Sequence, residues 1–143
     1  MTVLTMLSAV LTIWLSACTF DGPSSVRQLE VVTAKDIVGR YLSDNDNGYT
    51  HVLTVRQLSE TTFVISIRPE SGQGCTFNSN ADLTGREIHI ALSNINKKLS
   101  GVMTIAFDGA SARIDSLTPD THADLRTFCR GGRSLIGNYL KVK

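Results

Sequence analysis

The sequence predicts an all-β domain with one short helix. It reads as a small antiparallel meander of up to eight strands, either closed into a barrel or left as an open sheet backed by the helix. Three observations predict this. Short segments of period-2 alternation recur through the second part of the chain. Turn residues separate them at the spacing of barrels and sandwiches. Finally, Gly39-Arg40-Tyr41-Leu42 near the first strand reappears as Gly137-Asn138-Tyr139-Leu140 in the last. Two neighbouring strands under one steric demand would carry such an echo, and a meander whose first strand lies beside its last removes its exposed edges.

Residues 1–18 contain no charged side chain. Their apolar core, residues 3–15, has the length of a secretory signal and falls short of the roughly 20 residues that span a bilayer. Ser16 and Ala17, both small, precede Cys18. Leu15-Ser16-Ala17-Cys18 resembles the lipobox of bacterial lipoproteins. The resemblance implies that residues 1–17 are a signal peptide, that the Cys18 sulfur is diacylated, and that its freed amine is acylated. The run carries no Lys or Arg ahead of its apolar core. A cleaved signal without lipid and an ordinary buried helix are the alternatives. Thr19 stands where an Asp would favour inner-membrane retention, so the resemblance implies an outer-membrane lipoprotein facing the periplasm. Residues 18–34 read as a flexible tether, with Gly22-Pro23-Ser24-Ser25 as its breaker, although residues 29–32 could pair at a sheet edge.

The domain is expected to run from residue 35 to 143, beginning with a strand at 36–42. Ser43 to Gly48 is dense in turn formers, and Asn47-Gly48 is a type I′ hairpin signal. A calcium loop is the competing reading. Counted from Asp44, however, the sixth place holds Tyr49 and the twelfth Val55, where the EF-hand needs Gly and Glu. Residues 51–58 put Leu53 and Val55 on one face. Residues 62–68 put Phe63, Ile65 and Ile67 together, and Ser59-Glu60-Thr61 joins the two segments as a hairpin. A strand over 75–83 follows Ser71-Gly72-Gln73-Gly74. Residues 87–92 turn Ile88, Ile90 and Leu92 inward, and 102–107 do the same with Met103, Ile105 and Phe107. Asp108-Gly109 signals another hairpin, into 111–117 with Ile114 inward.

One helix interrupts the pattern. Thr118 is its N-cap, Pro119 its first residue, and Asp120 suits its positive end. His122, Leu125, Phe128 and Cys129 recur at helical spacing, and Gly131-Gly132 ends the helix. A last strand at 135–142 completes the chain.

Composition bounds the function. The 143 residues carry 14 Lys and Arg against 13 Asp and Glu, a net charge of +1. Nucleic-acid binders usually show a basic excess, so no nucleic-acid partner is expected. Of the 3 cysteines, Cys18 is taken by lipid in the lipoprotein reading, which leaves Cys75 and Cys129 as one pair in an oxidising compartment. Joining them closes a loop of about 55 residues, worth about 4 kcal/mol in the chain-entropy treatment. Two free thiols are the alternative.

Candidate chemistry is sparse. His51, His89 and His122 lack zinc-ligand spacing, so no metal is expected. The chain has no Gly-x-Ser-x-Gly elbow, phosphate loop or dinucleotide fingerprint. No enzyme activity and no cofactor are expected. The best binding candidate is Arg130-Gly131-Gly132-Arg133 with Arg126: two fork-shaped donors on a glycine loop suit a carboxylate, a phosphate or a sugar acid. Helix capping with solvated arginines is the plainer reading. Tyr41, Tyr139 and Tyr49 are candidate surface anchors for a protein partner, or strand and turn residues that cover glycine.

Three functions compete. The first is a small binding module, attached to the membrane through its lipid and acting on an envelope protein. In size and plan it resembles the lysozyme-inhibitor lipoproteins, a resemblance that implies a small antiparallel barrel, a stabilising disulfide and inhibition of an envelope-directed enzyme. Their Ser-Gly-x-x-Tyr loop is not matched here, because Ser71-Gly72 and Ser100-Gly101 are followed by Cys75 and Thr104 at the Tyr place. The second is an accessory subunit of an envelope secretion or assembly complex. The third is a lipocalin-like carrier, whose ligand would lie among Phe63, Ile65, Ile67, Ile88, Ile90, Met103, Ile105 and Phe107.

Overall fold

In the computed structural model, which describes residues 32–44 and 49–143, eight antiparallel strands close into a barrel in simple meander order. They are β1 (Gly39–Ser43), β2 (His51–Gln57), β3 (Thr62–Pro69), β4 (Phe77–Thr84), β5 (Glu87–Ala91), β6 (Val102–Phe107), β7 (Ser111–Ser116) and β8 (Gly137–Val142). The barrel reading is thus selected over the open sheet. The expected signal segment, Cys18 and most of the expected tether lie outside the described residues, as does the turn expected at Asn47-Gly48.

Period-2 alternation builds the core. Leu53, Val55, Phe63, Ile65, Ile67, Ile88, Ile90, Met103, Ile105, Phe107 and Ile114 point inward and are at most 4 % exposed. In a barrel of eight strands such side chains fill the interior. Leu92, expected at the end of a strand, is buried in a 3-10 turn, Leu92–Asn94, that follows β5. At the Asp108-Gly109 hairpin the Asp108 carboxylate accepts from the Ser111 hydroxyl at 2.7 Å and from the Ser111 and Ala110 amides at 2.6 and 2.9 Å. Those bonds, the Ser111 hydroxyl first, hold the carboxyl below its usual range.

Two further elements depart from expectation. The first strand starts late: residues Ala34–Ile37 form one α-helical turn, and β1 begins at Gly39. The reason is local. The Asp36 carboxylate reaches back to accept from the Thr33 amide and hydroxyl, both at 2.7 Å, which closes the turn at its start. Val32 belongs to the core, so packing begins within the stretch read as tether.

The second departure is the later helix. Thr118 and Pro119 open it as expected, but Pro119–Arg126 is a 3-10 helix. Its amide bonds reach three residues back, from Thr121 to Thr118 and from Thr127 to Asp124. Cys129 then leaves the helical path to pair with Cys75 as an isolated antiparallel bridge. Their sulfurs lie 2.01 Å apart, at disulfide bonding distance. Leu125 is buried, and Phe128 packs edge-on against Phe77 with ring centroids 5.0 Å apart. His122 turns away from the apolar face to Asp115, 3.1 Å distant.

The barrel closes between its echoed segments. β1 pairs with β8 from Arg40↔Val142 to Ser43↔Tyr139. Tyr41 and Tyr139 both point inward, and each hydroxyl donates to the carbonyl four residues before it, Ile37 at 2.7 Å and Leu135 at 3.0 Å. A buried phenol needs such a partner. Burial pushes the Tyr41 hydroxyl up to about 12 and that of Tyr139 upward as well.

Candidate functional site

The site is assembled at one end of the barrel, where the start of β2 meets the loop that enters β8. His51 opens β2 and shares its inward face with Leu53 and Val55, so it is buried. Its Nε2 accepts the Cys75 amide at 2.9 Å, and its own amide donates to Ser43 Oγ at 2.8 Å. Accepting at Nε2 requires a neutral ring with its proton on Nδ1. Burial, and then the Arg133 charge, lower its pKa below 6.5.

Arg133 arrives from the other side. Cys129 is fixed to Cys75, and the Arg130 amide reaches the Gly74 carbonyl at 3.4 Å. The chain must then reverse within two residues, Gly131 and Gly132, whose φ values are +71° and +72°. Only glycine takes that region without steric cost. The reversal lays the Arg133 guanidinium over the Tyr49 ring, with Cζ 3.0 Å from the centroid. A cleft of about 400 Å³ results, lined by Tyr49, His51, Gly131, Gly132, Arg133 and Ser134, with Ile136 beneath. Of the Arg133 guanidinium, Nη1 is shut off from solvent and has no hydrogen-bond partner among the described residues. A buried donor left unpaired costs about 1–3 kcal/mol, which an incoming acceptor would offset.

The predicted binding residues therefore separate. Arg133 and Tyr49 come together in the cleft. Arg130 is exposed and lines a smaller neighbouring hollow beside Gly72 and Gly74, while Arg126 is exposed on the 3-10 helix. Tyr41 and Tyr139 are 0 % and 2 % exposed, so they are not surface anchors. Their rings belong to the barrel interior because strand parity sends them there. His51 was missed as a site residue, although its place two residues before Leu53 signals an inward position. His89 and His122 instead lie 2.9 and 3.1 Å from the carboxylates of Glu87 and Asp115. Among the described residues, no three His, Cys, Asp or Glu side chains gather as a metal site would require.

The depressed histidine has a measurable consequence. In the unfolded chain His51 protonates near 6.5, and in the folded chain only at lower pH. The unfolded state therefore binds more protons between those two values. Stability is fully present above about 6.5 and falls as pH drops below it. Urea midpoints measured across this range should decline toward acid in the wild type and flatten in His51→Gln, whose side-chain oxygen can still accept the Cys75 amide.

Comparison with known proteins returned no matching family model, no matching curated protein and no matching solved structure.

Proposed function

We propose that this protein is a small, non-enzymatic binding module of the bacterial cell envelope, held on the outer membrane by lipid on Cys18, whose Arg133 cleft takes an anionic group of an envelope partner. The observation that carries the reading is Arg133 itself. One of its guanidinium nitrogens is shut off from solvent without a partner among the described residues, and Arg133 lines a cleft that it shares with Tyr49 and His51. The stacked Tyr49 restrains the guanidinium plane and leaves its fork pre-organised for a carboxylate or phosphate. Cys75 and Cys129 at disulfide distance suit an oxidising compartment, and Leu15-Ser16-Ala17-Cys18 supports the anchor. The carrier reading needs interior room, whereas the eight side chains that would line it pack on one another as core.

The test of the cleft is an NMR titration of the full chain with inorganic phosphate and, separately, glucuronate. Saturable shifts at Gly131, Gly132 and His51 are expected. Arg133→Gln should weaken binding about tenfold or more, the value of one or two charge-assisted hydrogen bonds. Equal binding by wild type and variant would remove the reading. The anchor is tested by mass spectrometry of the N-terminus from native membranes: an acylated Cys18 is expected, and an intact Met1 or unmodified Cys18 overturns it.

A further inference from the structure

We propose that the gap between β4 and β5 is a docking slot for a short extended segment of a partner protein bearing basic side chains, which binds by adding a strand to β4. The slot uses none of the residues of the Arg133 cleft, and the two can fail separately.

The first observation is an interrupted ladder. β4 registers with β3 at six positions, from Thr62↔Asp82 to Ile67↔Phe77. With β5 it registers at only two, Leu83↔Ile88 and Thr84↔Glu87. At the opposite end, the Thr76 amide donates to the Phe128 carbonyl at 2.9 Å. Between these two fixed points no strand among the described residues pairs with Asn78 or Asn80, and β5 forms the far wall of the gap. The Leu83 amide donates to Thr61 on the β3 side. Alternation by two therefore turns the amides and carbonyls of Asn78 and Asn80 toward the gap. The Asn80 carbonyl is met there by the hydroxyl of its neighbour Ser79, at 3.1 Å.

The second observation is room. Phe77, Ser79, Ala81 and Leu83 face inward, and the middle two are small and only half-buried. Phe63, Ile65 and Ile67 of β3 and Met103, Ile105 and Phe107 of β6 are all buried. A groove of about 490 Å³ opens at this place. The stretch from Asn78 to Asp82 spans about 16 Å at about 3.3 Å per residue, enough for an extended segment of about five residues. Every second side chain of that segment would point at Ser79 and Ala81.

The third observation is charge. Asp82 and Glu87 line the groove together with His89, whose Nε2 lies 2.9 Å from a Glu87 oxygen, and among the described residues no Lys or Arg lines it. Unpaired strand backbone selects an extended peptide over a helix. Flanking carboxylates select one with cationic side chains.

The test is amide hydrogen exchange followed by NMR on the full chain, with the peptide acetyl-Arg-Val-Arg-Val-Arg-amide as probe. In the free protein, Asn78 and Asn80 should exchange much faster than Phe63 and Ile65 of β3. With peptide at about ten times its Kd, their exchange should slow about tenfold. The same peptide N-methylated at alternate residues keeps its charge but cannot pair as a strand, and should give no protection. Asn80→Pro removes an amide that faces the gap and takes none from the β3 ladder, so it should abolish the protection. Should that variant fail to fold, Glu87→Lys, at an exposed position, should weaken binding about tenfold. The proposal is overturned if Asn78 and Asn80 are already protected in the free chain, or if the peptide leaves them unprotected. Equal binding of the methylated peptide overturns it in favour of charge alone. Protection that rises with protein concentration and needs no peptide overturns it in favour of a second copy of this chain.

Discussion

Tyr139→Ala is expected to destabilise the domain by about 3–5 kcal/mol, a large share of the roughly 5–15 kcal/mol available to a domain of this size. The ring is 2 % exposed and sits where the last strand closes the barrel on the first. Truncation opens a cavity there and strands the Leu135 carbonyl that the hydroxyl serves at 3.0 Å. Tyr139→Phe separates the two effects. It keeps the ring, and its expected cost is about 1–3 kcal/mol for the orphaned carbonyl alone. Urea unfolding monitored by circular dichroism checks both. A Phe variant as damaged as the Ala variant would mean that the hydroxyl, rather than ring packing, dominates the seam.

Replacing Cys75 and Cys129 together by serine should cost about 4 kcal/mol, because a cross-link over a separation of 54 residues restricts the unfolded chain that strongly. The loss should appear in urea titrations, and wild type in excess reductant should reproduce it. A second effect is local. The linkage fixes the segment that carries Arg130 and Arg133, and Cys75 gives its amide to His51. The serine variant should therefore also bind phosphate more weakly at the cleft, even under conditions where it remains folded.

Much of the barrel is legible in the chain because alternation is a one-dimensional signal. Phe63, Ile65 and Ile67 announce their face without reference to any other strand, and the structure buries all three. Closure is legible for a related reason: the echo of Gly39 and Tyr41 in Gly137 and Tyr139 records two strands that share a seam. The 3-10 form of Pro119–Arg126 is not legible, since it depends on where Cys129 must go to meet Cys75. The cleft is partly legible. Arg133 stands out beside its glycines, but its contact with Tyr49 joins residues far apart in sequence, and no local pattern encodes the pairing. The opening beside β4 is harder still, because a missing partner leaves no mark except two small inward residues, Ser79 and Ala81.

The seam between β1 and β8 also governs the order of events in time. Lys141 of β8 donates to the Asp36 carbonyl, in the helical turn just ahead of β1, across a separation of 105 residues, and β1 and β8 are the first and last strands of the barrel. A meander can form its hairpins one after another, but its ring stays open until the final strand is in hand. The contact of longest reach is therefore also the last available to a chain delivered from its N-terminus, and the loop it closes is entropically the most demanding. Until residues 137–142 emerge, β1 presents an unpaired edge to whatever surrounds it. Any truncation that removes these residues should leave an adhesive edge along β1, where the intact chain pairs it with β8.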